Sequence, residues 1–238
     1  MATPSKLLRS KLNLTANVIL LSALSLLSFP RSSVAAGYST EMISTAAPSE
    51  VSAAIRETLS DKGFRVNGPS GALCEIWLRK VVPAKDAPQQ LGVVYGQIAE
   101  GTLVGVVRFP VDVKDYRQQP VKAGVYTLRY ALLPQNGNHL GVSPNRDFLL
   151  ASPASADQKP ATLSVEEVLS LSRKSAGTGH PSVWSLAGTT EEAQTPKMLH
   201  QEDPDLWIVG FGLNLQSAPN NLTVRPAWLV VVGHAPEA

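Results

Sequence analysis

Along much of the chain apolar and polar positions alternate with a period of two, the pattern of strands that bury one face. The last two runs are the clearest. In residues 206–215, Trp207, Val209, Phe211, Leu213 and Leu215 share one face, and Ile208, Gly210, Gly212 and Asn214 the other. Ala218-Pro219-Asn220-Asn221 then turns the chain, and residues 225–232 return with Trp228, Val230 and Val232 opposed to Leu229 and Val231, which predicts an antiparallel hairpin. Residues 64–66, 73–82, 91–95, 103–109 and 183–186 carry the same strand character. In the middle, residues 122–152 hold two further apolar runs, one with Val125, Leu128, Tyr130 and Leu132 and one over 147–151, on either side of a polar loop rich in turn formers.

Two segments follow a helical period instead. Val51, Ile55 and Leu59 recur every four residues behind Ser49, which predicts a helix to about Lys62, stopped by Gly63. Ser164 followed by Glu167 is a capping box, opening a helix to about Lys174 with Val165, Val168, Leu169 and Leu171 as its apolar set and Gly177 beyond its end. Strands in series, with two short helices between them, predict a mainly β chain folded as an antiparallel β-sandwich or flattened barrel. Residues 37–48 are small and polar and read as a flexible lead-in, with residues 49–238 as a single sandwich domain.

Residues 1–36 obey neither pattern. Lys6, Arg9 and Lys11 precede a mostly apolar stretch over 16–29, followed by the small residues Val34-Ala35-Ala36. This order is that of a signal peptide, with cleavage expected near Ala36 and a periplasmic or extracellular address. The apolar stretch is shorter than the roughly 20 residues of a membrane-spanning helix, and no later segment is longer, so no span is expected after cleavage. The segment also changes the charge balance. It contains Lys6, Arg9, Lys11 and Arg31 and no acid, which leaves 17 basic residues (21 − 4) against 19 acidic ones and removes any electrostatic case for nucleic acid. Cys74 is the only cysteine, so no intramolecular disulfide forms despite the oxidising address.

Few residues suggest chemistry. Cys74 lies two residues from Ala72 and from Ile76, on the apolar face of a strand, where a thiol acts as a small hydrophobe. His139, Arg146 and Asp147, in and beside the polar loop, and His180, between a glycine and a proline, are the candidate ligand-binding residues. If their loops met, two imidazoles and the Asp147 carboxylate would serve a small-molecule or glycan ligand, or a metal-assisted hydrolase or lyase. No metal-ligand spacing supports the metal, so no metal ligand, cofactor or catalytic residue is assigned. Ser170, Ser172, Lys174 and Ser175 lack the spacing of a serine–lysine pair, and nucleophile-elbow and phosphate-loop motifs are absent. Trp184, flanked by serines, and the glycine-bearing face of 206–215 are the places expected to expose an assembly surface. Asn221-Leu222-Thr223 matches a glycosylation sequon.

The runs EGTLVGVVRFP, KAGVYTLRYALLPQNGNHLGVSPNRDFLL and LSRKSAGTGHPSVWSL, spanning roughly Glu100 to Leu186, resemble a family of uncharacterised exported bacterial proteins. That resemblance implies a bacterial envelope or extracellular setting and carries no catalytic residue. The expectation is therefore an exported β-sandwich acting as a binding or structural module, with an envelope assembly partner as the other non-catalytic possibility.

Overall fold

The computed structural model describes residues 37–134, 145–218 and 221–234. In chain order its elements are β1 (Ser39–Ile43), α1 (Ala53–Arg56), β2 (Gly63–Gly68), β3 (Gly71–Leu78), β4 (Val82–Pro83), β5 (Leu103–Phe109), β6 (Val113–Lys114), β7 (Pro120–Val121), β8 (Gly124–Leu132) and β9 (Asp147–Pro153). They continue with α2 (Val165–Ser172), β10 (Ser182–Ser185), β11 (Lys197–Gln201), β12 (Leu206–Ala218) and β13 (Asn221–Val232). Seven strands form one antiparallel sheet in the order β1-β2-β3-β5-β8-β9-β10. A second sheet has the order β11-β12-β13, with β4 added in parallel beside Leu215 and Gln216 of β12. The chain is a mainly β sandwich with two short helices, and the sheets do not close into a barrel.

Alternation explains the packing. On β8, Tyr126, Leu128 and Tyr130 face the second sheet, and together with Phe64, Ile76 and Leu149 they meet Val209, Phe211, Leu213, Leu229 and Val231 in one core. Phe64 and Phe211 touch across it with ring centroids 5.7 Å apart. Cys74 is buried in this core, and burial pushes its thiol up to about 12. Trp184 is buried there as well, stacked on Phe109 with centroids 4.9 Å apart. The glycine-bearing face of β12 is also covered, because a Cβ on Gly210 would meet the Trp228 ring at 2.6 Å. Neither of these expected assembly surfaces is open.

The outer face of the seven-stranded sheet is roofed in two places. Val51, Ile55 and Leu59 pack on Trp77, Leu103 and Val106, and Val168 of α2 packs on Leu150. Beyond the first roof this face carries a ladder of alternating charge on register partners: Glu41 opposite Arg65, Arg65 opposite Glu75, and Glu75 opposite Arg108. Arg65 and Arg108 approach the largely buried Glu75 carboxylate at 2.7 and 3.3 Å. Opposite charges placed directly across strands favour this register over its slips.

Four details differ from expectation. Residues 37–48 are not a free lead-in, since β1 pairs with β2 from Ser39↔Asn67 to Ile43↔Gly63. Only Ile43 of β1 is buried, so this edge strand is made by backbone pairing and shows no apolar period. The first helix is one turn, Ala53–Arg56, capped by Ser52 rather than Ser49, with Val51 and Leu59 buried from irregular backbone at its flanks. Residues 91–95 form turns rather than a strand, because Val94 and Tyr95 donate their N–H groups to a side chain, the Asp147 carboxylate. The polar stretch 188–204 contains β11, an edge strand paired with β12, whose exposed and half-buried residues hid it.

The connection from β9 to α2 is held by a buried charge pair. Arg129, on the outer face of β8 and 0% exposed, donates Nε and Nη2 to the two oxygens of Asp157 at 2.6 and 2.9 Å. Its remaining N–H groups go to the carbonyls of Gly101 (2.7 Å), Ala161 (2.9 Å) and Lys159. All five guanidinium donors are thereby used. One side chain fixes the loop that delivers α2 to the sheet.

Candidate functional site

Asp147 opens β9 on the core side and is 0% exposed. Its Oδ1 accepts from the Tyr95 N–H at 2.9 Å and the Tyr130 hydroxyl at 2.7 Å, and its Oδ2 from the Val94 N–H at 2.8 Å. Burial and the neighbouring carboxylate raise the Tyr130 phenol, which keeps it a donor. Arg146 is half-buried, with its backbone N–H on the Gly92 carbonyl (2.9 Å) and its Nε on the Leu133 carbonyl (3.0 Å). His180 is exposed on the turn before β10. His139 lies outside the described residues. In the β9–β10 ladder Ser182 faces Ala151 and Ser185 faces Phe148, and the Leu186 N–H reaches the Asp147 carbonyl. His180 thus stands six residues from the position beside Asp147, roughly 20 Å along the strand at about 3.3 Å per residue. The fold brings Arg146 and Asp147 together at one end of β9 and places His180 at the other.

His180 instead belongs to a groove of about 300 Å³ between α2 and the outer face of β8, β9 and β10. Ala131, Phe148, Leu150 and Val183 form its floor, and Val165, Val168 and Leu169 of α2 its wall. His180, Arg117 and Arg173 line it too. These three come from separate segments, yet each is anchored next to the start of β10. Arg173 follows Ser172, whose hydroxyl accepts the Ser182 N–H at 3.0 Å. Arg117 follows Tyr116, whose N–H donates to the Val183 carbonyl at 2.9 Å. His180 precedes Ser182 by two residues.

A buried hub holds the two turns that carry Arg117 and His180. Asp115, 1% exposed, accepts at Oδ1 from the N–H groups of Arg117 and Gln119, and at Oδ2 from Gln119 Nε2 and the Val183 N–H, each at 2.9 Å. Burial raises this carboxyl above the usual range, and the N–H donors pull it back down. Gln119 Nε2 also donates to the Pro181 carbonyl at 2.8 Å, and its Oε1 accepts from the Thr178 hydroxyl. Gly177 and Gly179 give the turn the left-handed backbone it needs, with φ of 64° and 79°. The end of α2 is tied down in the same way, since the Ser172 and Ser175 hydroxyls donate to the Ala151 carbonyl at 2.7 and 2.8 Å. These serines are structural.

Arg117, Arg173 and His180 are all exposed, and among the described residues none has an acid within salt-bridge distance. The groove's own carboxylate, Glu100, already accepts the Leu132 N–H at 2.9 Å. Sequence reading missed both arginines, because each stood in a run that looks like ordinary solvated surface. A larger concavity of about 720 Å³ lies along β13, but it is more open, and its cation Arg225 is engaged by the Val94 carbonyl (2.8 Å) and the Tyr95 ring (5.7 Å). Among the described residues no three His, Cys, Asp or Glu side chains gather as metal ligands, and no helix is long and apolar enough to cross a membrane. The chain matches no family of known proteins, and no characterised protein or solved structure is significantly similar to it.

Proposed function

We propose that this is an exported binding module of a bacterial envelope or extracellular space, and that its site is the groove beneath α2, which takes a small organic ligand. The observation that carries the reading is the groove itself: about 300 Å³, floored and walled by apolar, mostly aliphatic side chains, with a few polar groups at its margin. Ligand sites have this character, and rigid walls lower the ordering cost of binding. Here the walls are held by Arg129–Asp157 on one side and Asp115–Gln119 on the other. Export is supported by the charged, apolar and small-residue order of residues 1–36. A glycan fits less well than an apolar ligand, because the groove's aromatic residues, Phe148 and Tyr130, are buried rather than presented for stacking.

The test is calorimetric titration with octan-1-ol, an apolar probe of suitable size. The purified protein is expected to bind it, and Ala131→Phe, which places a ring in the floor at a half-buried position, is expected to weaken binding at least tenfold, a change of about 1.4 kcal/mol. Equal affinity in the two proteins would contradict the reading.

A further inference from the structure

The charge distribution of the groove identifies the ligand class, and this step rests on the groove being the binding site. We propose that the ligand is an amphipathic anion, an aliphatic chain ending in a carboxylate, with the carboxylate held at the β10 end by Arg117, Arg173 and His180 and the chain lying over Ala131, Leu150 and Val168.

Three observations converge. The floor and wall are aliphatic apart from Phe148, which suits a hydrocarbon chain. Two guanidinium groups and an imidazole come from three segments that are all hydrogen-bonded to, or continuous with, Ser182 and Val183, and no described acid neutralises them. A planar guanidinium donates two parallel hydrogen bonds to a carboxylate, so the arginine pair is chemically matched to that head group. Finally, the polarity is directional. Glu100 lines the groove through its contact with Leu132, at the end of β8, while the arginines stand beside the start of β10. In the register, Leu132 pairs with Asp147 at one end of β9, and Ser182 pairs with Ala151 toward the other. An anion placed at the Glu100 end would be repelled, so only one orientation of the ligand satisfies both ends. The hub of Asp115 and Gln119 fixes this orientation by holding the Arg117 and His180 turns before a ligand arrives.

The experiment compares octanoate with octan-1-ol by calorimetry on the purified protein and on the double variant Arg117→Gln, Arg173→Gln. Both arginines are exposed, and an unchanged circular dichroism spectrum and melting curve check that the variant is folded. Octanoate is expected to bind the natural protein at least about tenfold more tightly than octan-1-ol, and that ratio is expected to fall close to one in the double variant. A ratio near one in the natural protein, with both ligands blocked by Ala131→Phe, would overturn the anion and leave the groove reading intact. A large ratio that survives the double substitution would overturn the placement of the head group. Binding of neither probe would overturn the groove reading and this inference with it.

Discussion

Arg129 illustrates how much of this molecule depends on single polar side chains placed where nothing else satisfies them. It is fully buried under a loop, and its five donors meet one carboxylate and three carbonyls. Arg129→Ala leaves Asp157 buried and charged without its partner, and Thr127 alone cannot replace it. Urea denaturation is expected to show a loss of about 3–5 kcal/mol; a loss below about 1 kcal/mol would mean that the loop rearranges to hydrate the acid. Asp115 and Asp147 follow the same logic, each collecting backbone N–H groups from a distant segment. This explains what the sequence could and could not reveal about the site. Asp147 looked chemically available because it borders a polar loop, but its partners Val94 and Tyr95 are more than 50 residues away in the chain. Arg117 and Arg173 looked idle because the segments that bring them beside His180 meet only after folding. His180 itself was visible through its glycine and proline neighbours.

At the scale of elements, legibility tracked burial. Strands wrote their period into the sequence where they bury a face: β12 and the inner part of β13 were read, whereas the exposed residues 221–224 that open β13 were not. Edge strands did not: β1 and β11 contribute mostly exposed or half-buried residues, and backbone pairing alone defines them. The helix α2 was legible for a different reason, its capping box, in which the Glu167 N–H donates to the Ser164 hydroxyl at 3.3 Å and Glu167 accepts the Ser164 N–H at 2.9 Å. Since α2 forms the groove wall, Ser164→Ala is a test at this scale. It is expected to cost about 1 kcal/mol of stability and to speed hydrogen exchange in α2 while the β12–β13 hairpin keeps its protection. Uniform loosening of both would mean that the helix and the sandwich unfold as one unit and that the cap does not act locally.

For the whole molecule, two sheets supply a rigid frame and the outer roofs supply the features that differ from a bare sandwich. One roof, over Trp77, is backed by the cross-strand charge ladder. The other, α2, stands off the sheet far enough to leave the groove. The polar contacts that fix its position are buried beneath it: Arg129 under the incoming loop, Ser172 and Ser175 under the helix end, and Asp115 under the turns. A binding site built this way needs little rearrangement when occupied. The most direct test is an amide chemical-shift map of the ¹⁵N-labelled protein during titration with octanoate. The account predicts the largest shifts at Arg117, Ala131, Leu150, Val168, Arg173 and His180, with Thr190 and Arg225 in the larger concavity unmoved. Shifts centred on Thr190 and Arg225, or scattered over the surface without saturating, would contradict it.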